Sequence, residues 1–576
     1  MQTAERMYDA AVSDPSYAVD ATVDRKSRGA FFTPPVLANF LARWAIHGNP
    51  GARVLDPTCG EGIFLLAAAR QLRELGTVEQ RLDDQVHGVD LHHESLGETS
   101  RLLEAEGFDA DLVAADFFQL APPSELFSSI GPFDAVIGNP PFVRYQQHIG
   151  AARRVSALAA LRQGVRLSGL ASSWAALLVH AGSFLAADGR LAMVLPAELL
   201  TVGYAEPVRQ WLRHRFAAVK LVFFERRQFA EALENVVLLL AHGTGGCDAF
   251  SLYYVDDGDD LERIKPFDEY AVKLSEEGKW TDLMLSIRER QVFNALVADH
   301  FVSLREYGSP ELGTVTGANS FFTLSEATRR QYGLVPGRHL AKICPPGTRH
   351  LRGLSFTKRD WKDLRDAGEA VWILWPDPTD DSAALRRYLA LGEAQGVPDA
   401  YKCKVRSPWW RPPLVPKPDL FFTYMSHRYP RLISNTASVA FVNSMHGVRL
   451  RLQGGCSKQA LPLVAVNSVT MLGAELFGRS YGGGILKMEP SEAARLPLPK
   501  PANLSAAWKQ LKHERTKLDA ALRAGEWSTV VARVDDVLLR QVMHLSDTDV
   551  AVISGALTTL RKRRISRAPA RPPISA

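Results

Sequence analysis

Cysteine is scarce in this sequence, and no two cysteines stand close together. The chain has 5 cysteines in 576 residues and contains no C-x-x-C motif. This pattern argues against a structural zinc site and against a disulfide framework. It is typical of proteins of the reducing cytoplasm, where we expect this protein to work.

Long apolar runs are also missing. No stretch of about 18 uncharged apolar residues occurs. The N-terminal MQTAERMYDAAVSDP does not place a basic segment before an apolar one. We therefore expect neither a membrane span nor a secretion signal. The length favours two or more domains.

A strong excess of one charge is absent as well. The chain has 68 basic and 63 acidic residues, a net charge of +5. The C-terminal LRKRRISRAPARPPISA is strongly basic, which fits either a tether to a polyanion or a solvated tail. Evidence for a polyanionic partner must therefore come from local clusters of charge.

Apolar runs alternate with helical patterns through the first half of the chain. This alternation predicts a parallel, doubly wound α/β sheet. A glycine- and acid-rich segment at 245–270 predicts a domain boundary, and short strands rich in proline and aromatics follow it. Candidate strands lie at 52–56, 85–90, 111–116, 133–139, 188–196, 220–225 and 235–243.

A glycine-rich turn follows the first candidate strand. VLDPTCGEGIFLL places Asp56 at the strand end and Gly60 and Gly62 in the turn before a helix. Glycines there let backbone amides approach a ligand, although many folds use such a turn for plain chain reversal. No G-x-x-x-x-G-K-[ST] motif occurs, which disfavours a nucleoside triphosphate.

Two more acids end the next candidate strands. Asp90 is placed to accept the hydroxyls of a ribose, and Asp116 to accept an adenine amine, with the Phe117 ring beside it. The carboxyl ends of parallel strands form the edge where open α/β sheets bind ligands. Together with Asp56, these acids predict a nucleoside cofactor without phosphates.

The fourth candidate strand ends in Asn-Pro-Pro-Phe, at 139–142. Proline cannot continue a ladder of hydrogen bonds, so Pro140 and Pro141 impose a rigid, extended exit. The Pro140 carbonyl and the Asn139 side chain offer two acceptors, and Phe142 offers a flat face. This set suits the exocyclic amine of an aromatic base, although the motif alone is also compatible with a strand-ending turn.

Such an amine is a poor nucleophile because its lone pair is delocalised into the ring. Two acceptors out of the ring plane favour a tetrahedral nitrogen, and they favour it more strongly as positive charge develops. The matching electrophile is a methyl group on a sulfonium. The pattern thus predicts methyl transfer without a nucleophilic serine, cysteine or metal.

These motifs, in this order, resemble the S-adenosylmethionine-dependent N6-adenine DNA methyltransferases of the gamma class, the TaqI-like type, over residues of about 25 to 500. The resemblance implies a Rossmann-like class I methyltransferase domain, with a mixed, mostly parallel seven-stranded sheet, and a C-terminal α+β target-recognition domain. We expect an N-terminal extension at 1–26, the catalytic domain at 27–265, a linker at 266–300, the target-recognition domain at 301–504, a helical segment at 505–560 and a basic disordered tail at 561–576.

The resemblance also implies residue roles. The residues at the cofactor would be Thr33, Asp56, Thr58, Gly60, Gly62, Asp90, Leu91, Asp116, Phe117 and Asn139, with Asp56 on the ammonium group and Asp116 on the adenine amine. The residues at the target base would be Asn139, Pro140, Pro141, Phe142 and Phe229, whose aromatic rings would sandwich it. Thr33 is also compatible with a helix cap, and Phe229 with a core aromatic. Many relatives have tyrosine at the position of Phe142, but stacking needs only the ring.

A base inside a duplex must be rotated out before its amine can react, so double-stranded DNA is the expected substrate. The basic, aromatic stretch 401–431 is the expected DNA grip, although a solvated basic loop over an aromatic core would look similar. A separately encoded restriction endonuclease is a candidate partner. The DNA-binding candidates are Lys402, Lys404, Arg406, Trp409, Trp410, Arg411 and Arg428.

Three alternatives stay open on the sequence. Asn-Pro-Pro motifs also occur in enzymes that methylate an RNA base or a protein glutamine, but the large C-terminal region disfavours them. A fused nuclease is disfavoured by the short segment before the first motif. A non-catalytic DNA-binding module is disfavoured by the complete set of cofactor acids.

Overall fold

The computed structural model describes residues 33–77, 82, 84–125, 128, 130–143, 150–224, 236–255, 257–263, 270–273, 279–451, 457–481 and 484–565. The chain divides after Ser286 into two compact units. The residues predicted as a linker, 266–300, include the last strand of the first unit and the first helix of the second.

A nine-stranded sheet forms the centre of the first unit, with strand order β3-β2-β1-β4-β5-β7-β6-β8-β9. Strands β1 to β5 pair in parallel, and β7 is antiparallel to both of its neighbours. The strands are β1 (Val54–Asp56), β2 (Val86–Asp90), β3 (Asp111–Ala114), β4 (Phe133–Gly138), β5 (Leu185–Pro196), β6 (Ala218–Phe224), β7 (Val236–His242), β8 (Ala249–Val255) and β9 (Tyr270–Lys273).

The mixed, mostly parallel α/β sheet is therefore confirmed, but the predicted number of seven strands is wrong. Strands β8 and β9 extend the sheet within the segment that the sequence indicated as a boundary. The glycines and acids that suggested a boundary flank β8, whereas the AFSLYYV of the strand itself is apolar. Its parallel pairing with β6 attaches it to the first unit.

Helices cover the sheet of the first unit with apolar side chains. They are α1 (Pro35–Ile46), α2 (Ile63–Glu74), α3 (His93–Glu104), α4 (Gly150–Arg162), α5 (Ser173–Gly182), α6 (Glu198–Thr201) and α7 (Glu206–Arg215), with short 3-10 turns at Phe117–Gln119, Gly203–Ala205, Gly258–Arg263 and Thr281–Met284. Every residue of α5 is buried. A helix that is apolar on all sides belongs in a core, and this one carries polar side chains near both of its ends.

The second unit is an α+β assembly of smaller sheets. A five-stranded sheet has the order β11-β19-β16-β18-β14, and three smaller sheets have the orders β12-β15-β13, β17-β21-β20 and β10-β22. The strands are β10 (Phe301–Ser303), β11 (Gly308–Leu312), β12 (Thr323–Leu324), β13 (Leu340–Lys342), β14 (Ser355–Phe356), β15 (Trp372–Leu374), β16 (Leu420–Phe422), β17 (Met425–Ser426), β18 (Leu432–Asn435), β19 (His446–Leu450), β20 (Arg479–Tyr481), β21 (Ile485–Lys487) and β22 (Pro497–Pro499).

The helices of the second unit surround these sheets and make up its C-terminal part, where the sequence showed helical periodicity. They are α8 (Ile287–His300), α9 (Leu304–Tyr307), α10 (Asn319–Phe322), α11 (Glu326–Tyr332), α12 (Lys358–Asp366), α13 (Ala383–Ala394), α14 (Tyr401–Lys404), α15 (Ser457–Val464), α16 (Ser468–Phe477), α17 (Pro490–Ala493), α18 (Pro501–Leu511), α19 (Arg515–Ala524), α20 (Trp527–Asp535) and α21 (Asp547–Ile565), with a π-helical segment at Asp536–Val542.

The prediction of a disordered tail from residue 561 is wrong for residues 561–565, which belong to α21. Arg564 is 4% exposed, and its guanidinium pairs with Glu475 of α16 at 2.8 Å. The basic run therefore contributes to the core of the second unit. Residues 566–576 lie outside the described part of the chain.

Within the described part of the chain, no single helix has the length and apolar character needed to cross a bilayer. Only the bent pair α15 and α16 meets that test jointly.

Arg564→Ala should strongly destabilise the second unit, because it leaves the buried Glu475 carboxylate without its partner. We expect a loss of ~3–5 kcal/mol in the free energy of unfolding. Lys562→Ala, at an exposed position of the same helix, is the control and should cost less than ~0.5 kcal/mol. Thermal and urea melts measure both, and equal melting of the two variants would refute the role of this ion pair.

Candidate active site

Four polar side chains meet at the carboxyl edge of the parallel strands. Asp56 and Asp90 are the last residues of β1 and β2, Asp116 lies two residues beyond β3, and Asn139 directly follows β4. These four strands are neighbours in the sheet. Parallel neighbours end at the same edge, so the side chains that the sequence separates by up to 83 positions converge.

Asp56 is fully buried at the centre of this edge. Its Oδ1 accepts the amide of Thr58 at 3.1 Å, whereas its Oδ2 has no hydrogen-bond partner among the described residues. Burial raises the pKa of the Asp56 carboxyl to about 8; the Thr58 amide lowers it, and the negative charge of Asp90 raises it further. The site therefore holds a carboxyl group whose charged form calls for a cationic or donor ligand.

Gly138 allows the loop that contains Asn139 to approach Asp56 closely. Its φ is +156°, and a Cβ at this position would lie 2.7 Å from Asp56 Oδ1. Any side chain would displace the carboxylate. Gly138 thus brings the backbone that leads into Asn139 directly against Asp56.

Asp90 organises the glycine-rich turn. Its Oδ2 accepts the Gly60 amide at 3.0 Å and its Oδ1 accepts the His92 amide at 2.8 Å. The neighbouring Gly62 has a φ of +84°, and a Cβ there would lie 2.7 Å from the Thr99 side chain. The exposed Leu91 stands beside this turn, with 43% of its surface accessible. The predicted cofactor residues Gly60, Gly62, Asp90 and Leu91 are therefore adjacent.

Asp116 begins the 3-10 turn after β3. Its Oδ1 accepts the Phe118 amide at 3.0 Å, and its Oδ2 is buried without a hydrogen-bond partner among the residues described. Burial raises the pKa of the carboxyl, while the Phe118 amide and the Gln119 side chain lower it. Like Asp56, Asp116 keeps one acceptor oxygen for a donor outside the described chain.

Phe117 occupies a different position from the one expected for a ring over a ligand. It is 3% exposed, and its centroid lies 4.8 Å from that of Phe184 and 5.0 Å from that of His180. These contacts place the ring in the core beneath the turn. The predicted contact of Phe117 with an adenine is not supported by this geometry.

Asn139 is held by Thr33. The Asn139 Nδ2 donates to Thr33 Oγ1 at 3.2 Å, and this leaves Asn139 Oδ1 buried without a partner in the described structure. Thr33 is itself 4% exposed. The sequence placed Thr33 at the cofactor, whereas its observed contact is with the candidate catalytic amide, which it orients.

Helix α5 holds the loop that follows. Ser173 Oγ donates to the Pro141 carbonyl at 2.5 Å and accepts the Val143 amide at 3.0 Å, and the Ser173 amide donates to the Val143 carbonyl at 3.0 Å. These three bonds fix the backbone on both sides of Phe142. The Phe142 ring is half-buried and packs against the main core, and Pro140 is buried.

The other end of α5 holds the turn of Asp116. His180 Nε2 donates to the Phe117 carbonyl at 3.1 Å, and burial lowers the pKa of this histidine to about 4, so it is neutral. Sequence reasoning missed both Ser173 and His180. The sequence nevertheless contains a signal for these two residues. Both are polar residues near the ends of an otherwise apolar helix, and polar groups of a buried helix need hydrogen-bond partners.

The predicted residues divide clearly. The structure brings Thr33, Asp56, Thr58, Asp90, Asp116 and Asn139 to one edge. Phe229 lies outside the described residues, so its predicted place over the target base stays a prediction. Among the described residues at this edge, the buried side-chain oxygens without a hydrogen-bond partner are Asp56 Oδ2, Thr58 Oγ1, Asp116 Oδ2 and Asn139 Oδ1.

In the second unit, two of the residues predicted to contact DNA make contacts within the fold. The Arg406 guanidinium donates to the carbonyls of Val315 and Thr316, both at 3.1 Å, so it fastens a loop. The Trp409 ring packs 5.7 Å from that of Phe321. Arg406 and Trp409 thus have contacts within the fold, and their predicted role at DNA stays a prediction.

The remaining candidates lie nearer the surface. Lys402, Lys404 and Arg428 are exposed, and Trp410 and Arg411 are half-buried. Arg411 lies 4.8 Å over the ring of the exposed Trp375, and Arg428 donates to the Gly525 carbonyl at 3.1 Å. The lysines of α14 are exposed but have neighbours: Lys402 Nζ lies 5.1 Å over the Tyr401 ring, and Lys404 pairs with Asp399 at 3.5 Å.

Comparison with known proteins matches both units of the chain to methyltransferases. The N-6 DNA Methylase family model matches residues 17–220, and the model of the C-terminal domain of the Type II methyltransferase M.Eco57I matches residues 277–539. The parallel strands β1 to β5 and the acids at their ends lie within the range that the first of these models matches. The chain belongs to the N6-adenine DNA methyltransferases.

Individual relatives cover most of the chain. The Type II methyltransferase M.AccI of Acinetobacter calcoaceticus is 21% identical over 81% of this chain and 84% of its own length. M.XamI of Xanthomonas campestris pv. amaranthicola is 25% identical over 83% of this chain and 86% of its own. A solved structure of the Type IIL restriction-modification enzyme MmeI in complex with DNA superposes with a TM-score of 0.50 at 14% identity, covering 95% of this chain and 80% of that one, which shows a shared fold.

Asp56→Asn should alter how stability depends on pH. The folded carboxyl has a pKa of about 8 against 3.8 for the free group, so between these values the folded state binds a proton that the unfolded state lacks. Stability should then fall as pH rises through this window, by at most ~1.4 kcal/mol per pH unit.

The asparagine variant should lose this dependence, and Asp188→Asn, at an exposed position, should keep it. Urea denaturation from pH 5 to pH 8 measures the slope. An identical slope for Asp56→Asn and the unaltered protein would contradict the assignment of the buried, protonated carboxyl.

Proposed function

We propose that the chain transfers a methyl group from S-adenosylmethionine to the N6 amine of an adenine rotated out of double-stranded DNA. The observation that carries this proposal is the buried Oδ1 of Asn139, which has no partner among the described residues and is followed by the buried Pro140. Membership of the N6-adenine family supports the same reaction. The cofactor, the rotated base and the residue roles belong to this proposal.

The residues at the sheet edge fit the proposed cofactor. Asp56 Oδ2 and Asp116 Oδ2 are buried oxygens without partners among the described residues. This cofactor carries an adenine amine and an ammonium group, whose positive charge would favour the ionised form of Asp56. When bound, the cofactor would supply an electrophilic methyl group on a sulfonium. Leaving a buried acceptor unpaired costs ~1–3 kcal/mol, so these oxygens favour a ligand that presents N–H donors.

Asn139 and Pro140 would hold the target amine. Thr33 accepts a hydrogen bond from the Asn139 side-chain amide and so fixes the orientation of that amide. The Asn139 oxygen would therefore already point in the direction needed to accept from the base. The two acceptors would take both N–H groups and draw the nitrogen toward a tetrahedral geometry. Because their attraction grows as the nitrogen becomes positive, they stabilise the transition state more than the ground state.

Phe142 would stack on the base, which returns part of the few kcal/mol spent on unpairing and unstacking. The hydrogen bonds of Ser173 on both sides of this ring hold it in place. The second unit would bind the duplex and select its sequence. Because the curated relatives are Type II methyltransferases, we propose that the chain protects DNA against a separately encoded restriction endonuclease.

Asn139→Ala should abolish methyl transfer while cofactor binding persists. Removing a preorganised acceptor that acts on the transition state costs about 10²–10³-fold in rate. The assay incubates DNA from a methylation-deficient host with S-adenosylmethionine and measures N6-methyladenine by mass spectrometry, with cofactor affinity from calorimetry.

Asn49→Ala, at an exposed turn of the same unit, is the matched control. Turnover by Asn139→Ala at the rate of this control would defeat the proposed role of the amide. Absence of N6-methyladenine with the unaltered protein on any DNA would defeat the proposed function itself.

Ser173→Ala should lower kcat about tenfold and leave cofactor affinity unchanged, because the hydroxyl positions the Pro141–Val143 backbone and not the acids. Ser183→Ala is the control, since that hydroxyl donates to the His180 carbonyl of its own helix at 2.6 Å. Single-turnover rates and calorimetry separate the two effects. Equal losses of cofactor affinity and rate would indicate a general structural role.

A further inference from the structure

Tyr401 and Val405 stand out on the surface of the second unit. They are 74% and 70% exposed, the highest values for large hydrophobic residues in the described part of the chain. Three other aromatic residues in 401–431 are buried: Phe421 and Phe422 fully, and Tyr429 with 7% of its surface exposed. Exposing two large apolar side chains forgoes the free energy that their burial would contribute, so a functional explanation for the two is warranted.

The backbone beneath these two side chains is firmly anchored. Between them, Cys403 of α14 is fully buried, with its Sγ 3.8 Å from the Thr316 carbonyl. Immediately after Val405, the Arg406 guanidinium donates to the carbonyls of Val315 and Thr316. Tyr401 and Val405 therefore lie on a backbone segment that buried contacts hold in place.

A glycine permits another loop to pack closely against this backbone segment. Gly317 has a φ of +89°, and a Cβ there would lie 2.9 Å from the Lys402 Cβ and 3.4 Å from Cys403 Sγ. The loop of Gly317 can therefore pass directly beneath α14. This contact supports the helix from below and leaves its outer side accessible.

The charges around Tyr401 and Val405 indicate the chemical class of partner that this surface would bind. Lys402 and Lys404 project from the same turn, and the neighbouring acid is Asp399, 3.5 Å from Lys404. Both members of that pair are exposed, so it neutralises the lysine only weakly. A surface that combines two exposed apolar side chains with cations matches a polyanion with flat apolar faces, which is nucleic acid.

We propose that Tyr401 and Val405 form an apolar wedge that inserts against the stacked bases of double-stranded DNA, while Lys402 and Lys404 contact the flanking phosphates. This inference rests on the proposed function of the chain as a DNA methyltransferase. Apolar side chains that enter between base steps unstack them and deform the duplex. A ring on a base face contributes a stacking attraction that does not depend on charge, whereas a lysine contributes a salt-dependent attraction.

The two contributions differ in their response to salt, and this difference defines the test. The probe is a fluorescent duplex of about 30 base pairs that carries the motif found by modification-sensitive sequencing. Affinity is measured at several salt concentrations for Tyr401→Ala, Tyr401→Phe, Val405→Ser and Lys402→Ala. Val335→Ser is the matched control, an exposed valine of the same unit at 47% exposure.

We expect Tyr401→Ala to weaken binding about tenfold at every salt concentration, because it removes no charge, and Val405→Ser to weaken it in the same direction. Tyr401→Phe keeps the ring and should bind normally. Lys402→Ala should reduce the slope of log affinity against log salt by about one. 2-Aminopurine placed in turn at positions across the duplex away from the methylated adenine should report an unstacked step with the unaltered protein, and that signal should fall with Tyr401→Ala.

Binding and 2-aminopurine signals of Tyr401→Ala and Val405→Ser that equal those of Val335→Ser would overturn the wedge. If the unaltered protein still methylates DNA in that case, the proposed function stands and only the wedge falls. If the unaltered protein methylates no DNA, the proposed function falls and the wedge with it. Because both side chains are exposed, melting temperatures of the variants should equal that of the control.

Discussion

Besides the Thr58 hydroxyl, three side-chain oxygens at the carboxyl edge of the sheet are buried without a donor among the described residues, and the proposed site depends on them. They belong to Asp56, Asp116 and Asn139, and all lie at the ends of neighbouring parallel strands. Each costs the folded protein ~1–3 kcal/mol, and a core of apolar strands and helices must offset this cost. A fold tolerates such an arrangement where a ligand supplies the missing donors, which is why the edge of the sheet, and not its faces, is where we place the chemistry.

Helix α5 links the two halves of this edge. One end holds the loop of Phe142 through Ser173, and the other holds the turn of Asp116 through His180. The helix is buried along its whole length, so it cannot shift at one end without disturbing its packing at the other. The positions proposed for the cofactor and for the target base are thus set by one rigid element, which fits a reaction that requires in-line geometry between two bound molecules.

Sequence reasoning found the acids and Asn139 because their positions follow from strand periodicity and from the rule that parallel strands end at one edge. It did not find Ser173 or His180, since their roles depend on which backbone atoms lie across from α5. It predicted too few strands for the sheet of the first unit, because the glycines and acids around β8 resemble a linker. Composition identified the basic, aromatic stretch 401–431, but only packing separates Arg406, which holds a loop, from Tyr401, which faces outward.

The most direct test of the central claim is a crystal structure of the protein with an unreactive cofactor analogue and its cognate duplex. The account predicts that the target adenine is rotated out of the helix, with Asn139 Oδ1 and the Pro140 carbonyl each within hydrogen-bond distance of N6, ~2.7–3.2 Å. An adenine that stays stacked in the duplex, or an N6 that contacts neither oxygen, would contradict it.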